Sequence, residues 1–327
     1  MRRTEFLNRM GINLDLAMEA HELLRGETGQ EIPGVREDIE TFDNARVTTV
    51  TIMDPAAEQI MGKPVGTYIT IESPGIRKPD KAVHQDLAQV VAQKLEQLIN
   101  LPEQATALVV GLGNWNATPD AVGPMVVDHI FVTRHLFKFA PQAVGPGLRP
   151  VCALSPGVMG TTGIETAEII RGSVEKIRPD VIIAVDALAA SSVERISTTI
   201  QIANTGINPG SGVGNQRMAI NQQTMGCPVI AIGVPTVVNA AVIAHEVVED
   251  VFQMLSGHAT LGQLTKVINP QSVEGIIGSV LQPFEGNLMV TPKEVDDLIK
   301  NISTIIASGV NQALHPAVGP EEATMLH

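Results

Sequence analysis

The chain has 327 residues, 44% of them hydrophobic and 17% charged, which is enough apolar material to bury a large core as one domain, alone or with an appendage. Aromatic residues make up only 3%, which argues against a stacking surface for single-stranded nucleic acid, and a net charge of −13 argues against a phosphate-backbone partner.

Residues 1 to about 30 are polar, charged and weakly helical, with a broken apolar stripe at Leu14, Leu16, Met18, Leu23 and Leu24. The start holds two arginines but no apolar core of signal-peptide length, so a soluble, cytoplasmic protein is expected. A hinge at 29–34 leads to two runs with period-two alternation, 45–52 and 67–71, which read as strands around a short helix and turn. Residues 81–101 place Val83, Leu87, Val90, Val91, Leu95 and Leu98 on one face of an amphipathic helix.

The apolar run 107–110 breaks at Gly111-Leu112-Gly113, and a polar loop carrying the only Trp (Trp115) ends at Asp120. A helix is expected next, through Val126, Ile130 and Val132 to about Phe137. This pattern reads as the carboxyl end of a buried parallel strand, the edge where ligands and catalytic groups collect in open α/β sheets. After a Pro/Gly connection come a short strand at 151–154, a loop, and a helix opened by capping-box spacing between Thr162 and Glu165.

Residues 181–185 form a second apolar strand terminated by Asp186, and 197–203 another strand. A third core strand, 229–233, is expected to turn at Gly233-Val234-Pro235 into a helix over 238–255. Those breaks also count against a membrane span in the apolar window 227–244. A small helical insertion within 257–287 and a helix pair over 291–314 complete the chain. The sum is α/β: a mostly parallel, doubly wound sheet flanked by helices.

For chemistry, Asp186 stands out. A carboxylate directly after five apolar strand residues costs several kcal/mol to bury unless it is paired or faces a cleft (roughly 2–7 kcal/mol even for a neutral polar group). Asp120 reads either as a helix N-cap or as a second acid brought to the same sheet edge. Two carboxyls close together share a proton, one acting as base toward water and the other as proton donor. The loop holding Gly210, Ser211, Gly212 and Gly214 lacks the ending of a P-loop, and is either a plain loop or a source of N–H donors to a substrate or oxyanion. Gly111-Leu112-Gly113 lacks the third glycine of a dinucleotide site, since Asn116 stands there. His129, His135 and His245 lie on expected helices without metal-ligand spacing, and Ser155 and Ser211 lie outside a nucleophile elbow. Cys152 and Cys227 read as buried free thiols.

The strings VVGLGNWNATPDAVGP, TRHLF, ALSPGVMGTTGIET, IIAVDALAA, TTIQIANTGINPGSGVGN, VIAIGVPTVV and NLMVTPKEVD resemble the germination protease family of spore-forming bacteria, from about Gly11 to His315. The resemblance implies an aspartic-type endopeptidase without cofactor or metal, with Asp120 and Asp186 as catalytic acids. It implies small acid-soluble spore proteins as substrates, cut after an acidic residue and before an apolar one. It also implies a self-processing zymogen, with a prosegment of residues 1–15 cut between Asp15 and Leu16 from a catalytic domain of 16–327. Glu5-Phe6 is similar to a second, minor cut. A homotetramer in the spore core follows from the same resemblance, with no direct nucleic-acid or membrane partner. The likeness fades between about 257 and 283. The strand–loop layout is also similar to hydrogenase-maturation endopeptidases, where the acid aligned with Asp120 binds nickel, but no equivalent of their His ligand is found. A metal-dependent maturation-type endopeptidase, a ligand-binding module using 208–215 and a nucleotide-dependent phosphorylase stay open as alternatives.

Overall fold

The computed structural model describes residues 3–210, 217–256, 270–317 and 319. In chain order the elements are α1 (Arg3–Arg9), α2 (Ala17–Thr28), β1 (Val35–Thr41), β2 (Arg46–Ile52), α3 (Pro55–Met61), β3 (Gly66–Glu72), α4 (Lys81–Leu98), β4 (Ala107–Gly111), α5 (Val122–Asp128), α6 (Arg134–Phe139) and β5 (Val151–Leu154). There follow α7 (Met159–Thr162), α8 (Thr166–Ile177), β6 (Val181–Ala190), β7 (Thr199–Ala203), α9 (Gln222–Met225), β8 (Val229–Asn239), α10 (Ala240–Ser256), α11 (Pro270–Leu281), β9 (Met289–Val290) and α12 (Val295–Leu314).

Among the described residues the strands form one sheet in the order β1-β2-β3-β7-β8-β6-β4-β5, with β9 paired to β8. The expected α/β architecture with flanking helices is present, but the sheet is mixed rather than mostly parallel, because a meander of β1, β2, β3 and β7 is added antiparallel to the parallel strands. Its parallel pairings join β8, β6, β4 and β5, and the remaining strands pair antiparallel. The chain steps from β4 out to β5 and then back across β4 to β6, so the strand order reverses at β4, the place where such sheets open a crevice. Leu87, Val91 and Leu95 of α4 and Ile302, Ile306 and Val310 of α12 cover one face of this half. Ala167, Ile170 and Val174 of α8 cover the other.

Several expectations need correction. Asp186 does not end its strand: β6 continues through Ala190. Gly233-Val234-Pro235 does not turn the chain, and β8 runs on to Asn239 because a bulge beside Pro235 accommodates the residue that lacks an N–H. The helix after Asp120 stops at Asp128, with α6 starting only at Arg134, because Thr133 is tied by its hydroxyl and N–H to the start of β5. No capping box forms at Thr162: its hydroxyl bonds locally around Ile164, and α8 begins at Thr166 with no side-chain cap. The final helix pair is a single helix, α12. Gly309 lets it approach α4, since a Cβ there would meet Val91 Cγ1 at 2.6 Å, and Ser303 donates to the carbonyl of Val122. Strand β1 had no expectation attached to it, and the insertion expected within 257–287 falls partly outside the described residues. No described helix is long and apolar enough to cross a membrane.

Candidate active site

Strand β4 ends at Gly111, which sits opposite Val185 of β6 in parallel register. The next residue of β6, Asp186, therefore lies just past the end of its neighbour. The loop after β4 returns Asp120 to this edge. Asn114 N–H donates to both the main-chain oxygen (3.1 Å) and Oδ2 (2.8 Å) of Asp120, which fixes the acid's direction. Gly113 is obligatory here: its φ is +114°, and a Cβ would stand 2.0 Å from the Asp120 carbonyl oxygen. Asp120 is thus held by the loop, and the cap position of α5 is Ala121.

Asp120 and Asp186 line one cavity of about 250 Å³, together with Asp15. Asp186 is buried, 6% exposed. Burial first, then the charge of Asp120, pushes its pKa well above the ordinary carboxylate range, and Asp15 adds to the rise. A hydrogen bond from Ala187 N–H to Oδ1 (3.0 Å) opposes that shift. Asp120 is half-buried, and its pKa is also raised by burial, against the stabilising Asn114 N–H. Burial thus raises the pKa of both acids, and the charge of Asp120 adds to the rise at Asp186.

Opposite them lies a bulge. In the β6–β8 register Leu188 faces Pro235 and Ala189 faces Val237, so Thr236 is the extra residue. It lines the cavity, and its buried hydroxyl has no hydrogen-bond partner among the described residues.

Asp15 and Leu16 are built into the same place. Asp15 Oδ2 accepts from Ala189 N–H at 3.0 Å, and Leu16 is fully buried in an extended conformation ahead of α2. Upstream, α1 docks Phe6 and Leu7 against Ala190, Val238 and Val242, and Phe6 stacks on His245 with ring centroids 4.0 Å apart. Arg3 pairs with Glu246 at 2.8 Å and also donates to the Ser191 carbonyl. The bond Glu5–Phe6 lies inside α1.

Of the other sequence candidates, Gly210 lines the cavity, whereas Ser211, Gly212 and Gly214 lie outside the described residues. The histidines and Ser155 sit elsewhere: His129 bonds the Met125 carbonyl, His135 and Ser155 are exposed, and His245 pairs with Glu249 at 3.4 Å. Among the described residues no three His, Cys, Asp or Glu side chains gather as a metal site. Cys152 and Cys227 are free thiols whose pKa burial raises. Sequence reading missed Thr236, Lys63 and Gln201. Gln201 left a signal, an amide between Ile200 and Ile202 in a fully buried strand, whereas nothing around Lys63 distinguishes it from a turn lysine.

Comparison with known proteins agrees over nearly the whole chain. The sequence model described as "Germination protease" matches residues 14–261 and 249–327. The germination protease of Caldanaerobacter subterraneus subsp. tengcongensis is 49% identical over 97% of this chain and 98% of its own length. That of Clostridium perfringens (strain ATCC 13124) is 49% identical over 93% and 95%, and that of Bacillus mycoides 42% identical over 94% and 95%. Among solved structures, the [NiFe] hydrogenase maturation protease HycI from Thermococcus kodakarensis KOD1 is 19% identical, with 44% of this chain and 80% of that one covered at a TM-score of 0.28. An overlap that partial carries no argument.

Proposed function

From the premise that this chain belongs to the germination protease family, and is a protease, we propose that it is an aspartic-type endopeptidase made as a precursor that cuts its own Asp15–Leu16 bond. The observation that carries this reading is that Asp15, Asp120 and Asp186 line a single cavity. Residues 1–15 are then a prosegment and 16–327 the catalytic domain.

In the proposed reaction the charged Asp120 takes a proton from water as the water oxygen bonds to the Asp15 carbonyl carbon. Asp186, kept neutral by burial and by the charge of Asp120, gives its proton to the Leu16 nitrogen as the C–N bond breaks. Proton transfer back from Asp120 to Asp186 resets the pair.

In trans, the substrates are small acid-soluble spore proteins, cut after an acidic residue and before an apolar one in the spore core. The bond from Ala189 N–H to the Asp15 carboxylate and the burial of Leu16 support that preference. Assembly as a homotetramer would cover apolar side chains that α10 and α11 expose, among them Met254, Ile276 and Val280. Neither nucleic acid nor membrane enters as a partner.

The test is a mass-spectrometric time course on purified full-length chain. Wild type should lose residues 1–15 and begin at Leu16, and Asp120→Asn and Asp186→Asn should stay whole while folded. Cutting at another bond, or normal processing in either variant, would refute the reading.

A further inference from the structure

Two side chains outside the acid pair touch the peptide unit at Asp15. Its carbonyl oxygen accepts from Lys63 Nζ at 3.0 Å and from Gln201 Nε2 at 3.4 Å. Gln201 Oε1 in turn accepts from Ala17 N–H at 2.7 Å, so one amide holds the main chain on both sides of Leu16. Lys63 reaches the carbonyl from the turn after α3, where Gly62 closes the helix in the left-handed region at φ 63°.

We infer that Lys63 and Gln201 are the oxyanion-stabilising pair of this protease, donating to the carbonyl oxygen of the bond that is cut. The inference rests on the reading of Asp15–Leu16 as the self-cleaved bond. When the water oxygen bonds to the Asp15 carbonyl carbon, the π electron pair moves onto the carbonyl oxygen, and that new negative charge forms against the Lys63 ammonium and the Gln201 amide. When the intermediate collapses, the pair returns to rebuild C=O, the C–N bond breaks, and the proton goes from Asp186 to nitrogen. Lys63 and Gln201 give up no proton.

The chemistry of both positions fits this role. A donor aimed at the developing oxyanion accelerates acyl transfer because its attraction strengthens in the transition state. Desolvation lowers the pKa of Lys63, and the nearby Asp15 and Glu19 carboxylates offset part of that fall. Gln201 is buried in β7 between apolar neighbours, an expensive place for an amide unless both of its ends are used. The junction uses both. Lys63 and Gln201 also line the cavity of about 660 Å³ that meets the acid-lined one at Asp15, so an incoming chain can take the same two contacts once residues 1–15 leave.

The test compares Lys63→Met and Gln201→Glu in the full-length chain. The second keeps an acceptor for Ala17 N–H but replaces the donor with a negative oxygen. Self-processing should slow by about 10²–10³-fold in Lys63→Met and at least about 10-fold in Gln201→Glu. In processed enzyme acting on an extended acidic–apolar peptide, kcat should carry the loss and KM stay within about two-fold, as for an interaction made in the transition state. Either variant, folded by circular dichroism, processing at the wild-type rate would overturn the inference, as would a loss confined to KM. If Lys63→Met does not fold, Gln201→Glu decides. Asp186→Asn, run in parallel, separates the levels: if it is inactive while both variants are normal, only this inference fails. If Asp186→Asn is itself normal, the acid-pair reading fails with it.

Discussion

The carboxylate of Asp15 accepts a hydrogen bond from the Ala189 N–H at 3.0 Å, and Ala189 stands on the same strand as Asp186. One rigid element thus carries both an acid of the proposed reaction and the group that holds the residue before the proposed cut. At about 3.3 Å rise per residue, their separation along β6 is fixed by the sheet rather than by a loop.

Asp15→Asn keeps the size of that residue but removes the charge from the acceptor. Hydrogen bonds to charged groups contribute about 1.5–3 kcal/mol and neutral ones about 0.5–1.5 kcal/mol, so losing the difference should slow self-processing by roughly 5- to 10-fold. The measurement is the first-order rate of appearance of the Leu16 amino terminus. An unchanged rate would mean that Ala189 does not read acidity.

Asp186→Asn should make the fold more stable at neutral pH while abolishing turnover. The folded pKa of Asp186 lies well above 3.8, so between those two values the folded state binds the proton more tightly than the unfolded state does. Stability is therefore lost as pH rises through that window, and the asparagine escapes the loss. Thermal melts of both proteins should show a gain for the variant at pH 7 that disappears below about pH 4. A variant less stable than wild type at pH 7 would contradict the account of burial.

Turnover should fall on both sides of its optimum. On the acid side Asp120 gains a proton at a pH above the range of ordinary aspartates, because burial raises its pKa. On the alkaline side Asp186 loses its proton. Asp15 contributes to holding that proton, so the alkaline limb of kcat/KM in processed enzyme should lie at lower pH than the alkaline limb of self-processing. Limbs that coincide would remove Asp15 from the electrostatics of the pair.

Gly113→Ala should cost stability and most activity together. The left-handed backbone alone costs an L residue roughly 1–2 kcal/mol, and the added methyl meets the Asp120 carbonyl at 2.0 Å, so the loop must shift. The expected readout is a lowered melting temperature with a loss in kcat. Retained activity would show that the Asp120 loop tolerates displacement.

The parallel heart of the sheet was legible because β4 and the first halves of β6 and β8, residues 107–110, 181–185 and 229–232, are apolar runs that a doubly covered strand explains. Asp120 and Asp186 were legible for the complementary reason, as carboxylates where such runs meet a crevice. Local rules failed where tertiary contacts override them. Pro235 reads as a stop but is absorbed by the bulge at Thr236, and the helix pair expected over 291–314 is one helix whose Ser303 and Gly309 serve close packing. Strand β1, a charged segment at the sheet edge, has no apolar pattern to reveal it. Lys63 was illegible, since its significance comes from a residue 48 positions away in the chain.

In the proposed self-processing, the clamp of Gln201 on Ala17 outlasts the cut. Severing the chain behind Asp15 turns Leu16 into a free ammonium at the head of α2, while Ala17 on Gln201 and Glu19 on Arg195 still anchor that helix. The mature molecule would thus start with its own new terminus parked in the vestibule, as a tethered product. A cation at the positive end of a helix is disfavoured by about 0.3–1 kcal/mol, which tilts that terminus toward departure and leaves the seat vacant for the next chain.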